Sequence, residues 1–186
     1  MDKTCVIVDR DGVINFDSKE YIKTPEEWVP IPGSLEAIAK LNKAGFLVAM
    51  ATNQAGPAQG KYSLENAVRI FTKMETSLKN LGGHFDYIAQ CNHHPKENCE
   101  CRKPKPGLLF EIEKKLKIDL KNSVFVGDSL KDIEAARAAG VKPVLVLTGS
   151  GKKTLESLKS LNTENNIDIY EDLSGFVSDF LDKNLV

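Results

Sequence analysis

No apolar run in this 186-residue chain is long enough to cross a bilayer, which takes about 20 residues, so a helical membrane protein is excluded. Charge of one sign is also lacking. Twenty-five Lys and Arg stand against 26 Asp and Glu, a formal net of -1, so no global field recruits nucleic acid or an anionic membrane. There is no internal repeat, low-complexity segment or linker, and residues 1–186 read as one domain. Met1-Asp2-Lys3 and the short run after them are too brief for a signal peptide, so a cytoplasmic protein is expected. Cysteine is scarce: four in all, which in a reducing compartment are not disulfides. Three of the four crowd between Cys91 and Cys101, a spacing that suggests metal. What is present in quantity is ordinary for a soluble globular protein, with 41% hydrophobic and 27% charged residues.

The apolar residues fall into short runs that alternate with helical patterns. Thr4–Val8, Phe46–Met50, Phe85–Ala89, Ser123–Val126 and Pro143–Leu147 read as buried strands, with a weaker one at Ile167–Tyr170. Between them lie a helix capped by Ser34, a long helix capped by Ser63 with Leu64, Val68, Phe71, Met74, Leu78 and Leu81 inward, and helices at 107–117, 131–139 and 153–161. An amphipathic helix closes the chain. The prolines of Asn15–Pro32 forbid a long helix there and predict a loop over the strand ends. Regular alternation of strand and helix predicts an α/β fold, a three-layer sandwich around a central, mainly parallel sheet.

In such a sheet the carboxyl ends of the strands share one edge, where ligands bind. Asp9 and Asp11 follow the first strand, Thr52 and Asn53 the second, Lys103 the segment after the third, and Asp128 the fourth. Singly, each has a plain structural reading: Thr52-Asn53 as a helix cap, Asp128 as a turn acid, Lys103 as a solvated lysine, Asp132 as a first-turn helix acid. Together they predict converging polar groups at a catalytic site.

The segments Asp9-Arg10-Asp11-Gly12, Ala51-Thr52-Asn53-Gln54, Arg102-Lys103-Pro104 and Val126-Gly127-Asp128 resemble, in order and spacing, the four motifs of the haloacid-dehalogenase-like phosphatases. The likeness covers Thr4 to about Gly149. It implies a Rossmann-like fold and a phosphoric monoester hydrolase. Asp9 would be the nucleophile and Asp11 the acid and base, so that Asp11 must hold a proton that Asp9 does not. It further implies catalytic Mg²⁺ on Asp9, Asp128 and the backbone carbonyl of Asp11, with Asp132 supporting that site. Thr52, Asn53 and Gln54 would hold phosphoryl oxygens and Lys103 would offset their charge, while Arg102 would make a second anionic contact. Asp17 and Tyr21 would reach sugar hydroxyls. No insertion is large enough for a cap domain, so loops alone would roof the site.

The chain departs from the family at three places. The segment Ser18-Lys19-Glu20 is one residue longer than usual, and Ala55 and Gln59 replace a serine and an arginine, which affects substrate contacts rather than catalysis. The substrate implied is a small phosphorylated sugar: a heptose bisphosphate on the way to lipopolysaccharide core, with histidinol phosphate as the alternative. The chain would act as a monomer, without nucleic-acid or membrane partners. A zinc-stabilised binding module without catalysis is the rival from another class.

Cys91-x-His93, five residues, then Cys99-x-Cys101 offers three thiolates and an imidazole, a closed tetrahedral set suited to structural Zn²⁺. His94 competes for the imidazole position, and the family's ligand order selects His93. The zinc loop, 91–101, would be inserted after the third strand and would position Arg102 and Lys103, which follow it directly. Cys5 reads as a small buried apolar residue and His84 as a surface one.

Overall fold

A computed structural model describes residues 4–165 and 167–184. Met1–Lys3, on which the expectation about a leader rests, lie outside the described residues, as do 166 and 185–186.

Strand β1 (Cys5–Val8) carries only β-branched residues and a cysteine, stiff side chains that pack well in a pleated, fully buried strand. All four of its residues are sealed from solvent. Their side chains alternate. Val6 and Val8 enter one core, with the helices α1 (Ser34–Lys43), α2 (Leu64–Asn80) and α6 (Leu173–Asn184) over it. Cys5 and Ile7 enter the other, under α3 (Gly107–Leu116) and α4 (Leu130–Ala139). Full burial of each such aliphatic side chain is worth about 1.5–3 kcal/mol, which is why the central strand is the chain's most apolar stretch.

The other strands are β2 (Leu47–Asn53), β3 (Tyr87–Cys91), β4 (Val124–Gly127), β5 (Lys142–Val146) and β6 (Asp168–Tyr170). They form one six-stranded sheet in the order β3-β2-β1-β4-β5-β6, with every pairing parallel. The three-layer α/β architecture expected from the alternation is therefore present. Helix α5 (Gly151–Ser160) packs through Leu158 on a small third cluster with Ile133 and Leu145. The strand order reverses between β1 and β4, and the crevice beyond their carboxyl ends is the topological switch point where such sheets bind ligands.

The structure differs from the sequence reading in several local features. Strands β2 and β3 run on to Asn53 and Cys91, so Thr52, Asn53 and the first cysteine of the cluster sit in register on neighbouring strands, Thr52 opposite Gln90 and Asn53 opposite Cys91. Ser34 does not cap α1. Gly33, at φ 83°, takes that place, and the buried Ser34 hydroxyl instead donates to the carbonyl of Val13 at 2.9 Å. Ser63 does cap α2, accepting from the Asn66 N–H. The inward stripe read for α2 holds only in part, and Leu81 at its end is 46% exposed. Met74 and Leu78 are buried, with Ile70 in place of the first-turn residues, whereas Leu64 and Val68 are 70% and 64% exposed. The first half of the helix lies along the edge strand β3, and only the second half faces α1 and the full sheet. The loop 15–32 is anchored more firmly than its composition suggests, since Ile22, Trp28 and Ile31 are all buried.

Candidate active site

The tips of β1, β2 and β4 and the segment after β3 open into one cavity of about 380 Å³. Asp9, Asp11, Asp17, Thr52, Asn53, Arg102, Lys103 and Asp128 line it, so the side chains expected to converge do so from four separate stretches of sequence. Ser129, Leu130, Lys131 and Ser150 complete the wall.

Lys103 lies at the centre, its side chain only 2% exposed. Its ammonium sits 2.9 Å from Asp9 Oδ1 and 2.6 Å from Asp132 Oδ1 and donates to the Ala51 carbonyl at 2.8 Å. The two carboxylates pair with it by charge, and among the described residues the Ala51 carbonyl accepts its hydrogen bond. Burial would lower its pKa, but Asp132 and Asp9 outweigh that and hold it raised. Asn53 locks the backbone beneath it: its side-chain amide donates to the Lys103 carbonyl and accepts from the Lys103 N–H, both at 3.1 Å. Asn53, expected on phosphoryl oxygens, lines the cavity and also clamps Lys103.

Asp9 accepts the Arg10 N–H (2.7 Å) and faces Lys103 through the same oxygen, Oδ1, leaving Oδ2 free of hydrogen bonds among the described residues. Burial raises its pKa to about 7; Lys103 pulls it down, and Asp132 and Asp11 push it up. Asp128 is pushed to about 8, by burial and then by Asp9 and Asp132. It is seated between Gly12 (φ 81°) and Gly149 (φ 53°), where a Cβ on either would collide with its carboxylate, and it accepts the Ser150 N–H at 2.7 Å.

Carboxylate oxygens of Asp9, Asp128 and Asp132 can come within 4.8 Å of one another, with one buried lysine to balance three acids. This all-oxygen donor set with surplus negative charge suits a hard divalent cation. Asp132 does not leave its oxygens free for the cation. Oδ1 is ion-paired with Lys103 and Oδ2 takes the Ser129 N–H and hydroxyl at 3.0 and 2.6 Å, as its plain reading as a first-turn helix acid predicts. That leaves Asp9 and Asp128 as the side chains with room for a metal.

Asp11 is bound more tightly than the sequence suggested. Arg10 grips it with two nitrogens: Nε and Nη2 donate to Oδ1 at 3.0 and 2.9 Å, and Nη2 also reaches Oδ2 at 3.0 Å. Asn15 donates to Oδ1 at 2.9 Å and is itself held by the Trp28 indole N–H at 3.0 Å. Burial raises the Asp11 carboxyl, but Arg10, Asn15 and Gln54 outweigh it and leave it lowered. Before any cation is bound, the donors gather on Asp11 while burial dominates at Asp9. Arg10 and Asn15 were missed as site residues. The signal available was the placing of an arginine between two acids and an asparagine four residues after the second.

Gln54, also expected on phosphoryl oxygens, is buried and turned away from the cavity toward Asp11 and Thr52. Tyr21 does not line the cavity either. Held at φ 67°, it donates from its hydroxyl to Gln59 at 3.3 Å in the roofing loops. Asp17 does line the cavity, and so does Arg102, whose Nη1 meets no acceptor among the described residues.

Beside this site Cys91, His93, Cys99 and Cys101 gather. The sulfurs and His93 Nδ1 are 3.2 to 3.7 Å apart in the pairs Cys91–His93, Cys91–Cys99, His93–Cys101 and Cys99–Cys101. Tetrahedral zinc with ordinary bond lengths gives ligand separations of about 3.5–3.8 Å, so the set fits that ion. His94 is excluded from the cluster by a different job. Its Nδ1 accepts from the Lys96 N–H at 3.1 Å, starting a short 3-10 turn at Pro95–Glu97.

The comparisons agree with this geometry. A family model described as HAD-hydrolase-like matches residues 100–175. A D-glycero-beta-D-manno-heptose-1,7-bisphosphate 7-phosphatase of Pseudomonas putida is 54% identical over 151 residues, 81% of this chain and 86% of that protein. The chain belongs to the haloacid-dehalogenase-like hydrolases. Its relatives in that family include the enzyme of the same name from Bordetella bronchiseptica, 47% identical over 81% of this chain and 84% of that one. The crystal structure of the D,D-heptose 1,7-bisphosphate phosphatase from B. bronchiseptica, complexed with magnesium and phosphate, superposes with a TM-score of 0.92 at 41% identity, covering 97% of this chain and 99% of that one. The corresponding enzyme from Burkholderia thailandensis gives 0.75 at 37% identity, over 96% and 99%. As in the sequence reading, this haloacid-dehalogenase-like chain carries no separate cap between its motifs among the described residues, and its cavity is roofed by loops.

Proposed function

We propose that the chain is a magnesium-dependent phosphatase that removes the 7-phosphate of D-glycero-D-manno-heptose 1,7-bisphosphate, as part of heptose supply for lipopolysaccharide core. The observation that carries the chemistry is Asp9, which faces the cavity with one oxygen tied down and the other free. The substrate rests on the names of the relatives, which favour the heptose bisphosphate over histidinol phosphate.

In the first half-reaction Asp9 Oδ2 forms a bond to phosphorus as the bond from phosphorus to the sugar oxygen breaks, and that oxygen takes a proton from Asp11. In the second, water attacks the phosphorus of the aspartyl-phosphate, gives its proton to Asp11 and releases Asp9 with inorganic phosphate. Asp11 must hold a proton at the start of this step, and the incoming phosphate dianion favours that, since a second negative charge nearby stabilises the protonated carboxyl. Thr52 faces the phosphoryl oxygens, Lys103 offsets their charge, and Arg102, which also lines the cavity, would meet a second anionic group. Bound Mg²⁺ would be held by Asp9, Asp128 and the backbone carbonyl of Asp11 and would neutralise charge on the phosphoryl group. Zinc on Cys91, His93, Cys99 and Cys101 would stiffen the loop that leads into Arg102 and Lys103.

We take a monomer as the working unit. A thiolate cluster needs reduced cysteines, which supports a cytoplasmic setting. Among the described residues no helix is long and apolar enough to cross a membrane.

The test is phosphate release with Mg²⁺ from the heptose bisphosphate and from histidinol phosphate, by the wild type and by Asp9→Asn. The expected result is a large preference for the heptose bisphosphate and a loss of more than about 10³-fold in the variant. A preference for histidinol phosphate would replace the substrate. Unchanged turnover in Asp9→Asn would overturn the chemistry and favour the binding module.

A further inference from the structure

Gln54 leaves the end of β2 with a side chain only 5% exposed. Its Nε2 donates to Asp11 Oδ2 at 2.8 Å and to Thr52 Oγ1 at 2.9 Å. The direction of the amide is set by chemistry, because a carboxylate held by Arg10 accepts and an amide oxygen turned toward it would be repelled. Both hydrogens of the amide are therefore committed.

Two consequences follow from this bridge. Thr52 Oγ1, accepting from Gln54, must aim its own hydrogen elsewhere. Among the described residues it donates to nothing, and Thr52 lines the cavity. On Asp11, Oδ1 already takes Arg10 Nε, Arg10 Nη2 and Asn15 Nδ2. Oδ2 is the less crowded oxygen, with Arg10 Nη2 at 3.0 Å and Gln54 as its two donors, and so the one with room for a proton.

We propose that Gln54 is a positioning residue whose single side-chain amide aims the Thr52 hydroxyl at the phosphoryl group and fixes Asp11 Oδ2 as the oxygen that serves the leaving group. The assignment rests on the phosphatase reading above. It deepens that reading by coupling the phosphate donor to the proton carrier, and it removes Gln54 from the groups that touch substrate. Without the amide, no donor holds the Thr52 oxygen, and its hydrogen is free to turn from the cavity.

The experiment compares the wild type, Gln54→Met and Gln54→Glu with Mg²⁺ on two esters. One is the sugar phosphate, whose alkoxide needs a proton to leave. The other is p-nitrophenyl phosphate, whose phenolate leaves without one. Melting temperatures are measured alongside. Removing the amide is expected to lower kcat/KM on the sugar phosphate on the order of tenfold to a hundredfold, and on the aryl ester by the smaller loss due to Thr52 alone. Most of the loss should fall in kcat, and placing Gln54→Met on an Asp11→Asn background should cost little further on the sugar ester. Gln54→Glu, of the same size but without donors, should behave at least as badly. Equal losses on both esters accompanied by a fall in melting temperature, or no loss in either variant, would overturn the assignment. A wild type that hydrolyses neither ester would overturn the phosphatase reading, and the inference with it.

Discussion

Two polar clusters lie side by side at the carboxyl edge of this sheet, and they are built in opposite ways. The cysteine cluster comes from one short stretch, Cys91 to Cys101, whose ligands meet because the chain folds back on itself over a few residues. The carboxylate site draws Asp9, Lys103, Asp128 and Asp132 from segments far apart in sequence, and they meet only because β1, β2 and β4 are neighbours. The difference lies in how each cluster handles its charge. The local cluster has thiols that a metal ion can satisfy together, whereas the distributed one has already buried a lysine against two acids before any cation arrives.

Lys103→Met should break the distributed cluster most severely. It leaves Asp9 and Asp132 buried without their cation, which costs about 3–5 kcal/mol, and removes the charge expected opposite the phosphoryl group. Urea unfolding and phosphate release should both register it, with turnover down by about 10²–10³-fold. A variant as stable as the wild type would mean that the acids find another way to be satisfied.

Zinc removal tests whether the local cluster serves the distributed one. Cys99→Ser or treatment with a chelator should abolish bound zinc by metal analysis and make the 91–101 loop susceptible to protease. Turnover should fall about tenfold, less than for Lys103→Met, because Asn53 still clamps the Lys103 backbone. Full activity without zinc would separate the clusters. The smallest effect is expected from Leu64→Ser, since Leu64 belongs to neither cluster and is 70% exposed. Its unfolding free energy should stay within about 0.5 kcal/mol of the wild type.

Much of the molecule was readable beforehand because strand and helix signals are local. The run Cys5–Val8 is too short and too β-branched for anything but a buried strand, and Gly140 ends α4 as a left-handed cap, as its sequence position suggests. Where the reading failed, a tertiary neighbour had decided. Val68 has the spacing of a core residue but points past the edge strand. Ser34 has the chemistry of a cap, but Gly33 takes the cap position and leaves the Ser34 hydroxyl to donate to the Val13 carbonyl. Asn53 and Gln54, polar side chains at a strand tip, have partners that spacing does not show: Asn53 holds Lys103, and Gln54 bridges Asp11 and Thr52.

The amino-acid order determined which groups this protein has for its chemistry and, through the apolar runs, that they stand at the ends of parallel strands. The cysteine cluster was legible almost whole, since short loops leave their ligands few other partners. Only the tertiary structure decided the pairing of the acids: Arg10 on Asp11, Lys103 between Asp9 and Asp132, and Asp128 pressed between two glycines. Proton affinity and orientation in a buried site depend on neighbours within a few ångströms, and those neighbours come from segments that meet only in the folded chain.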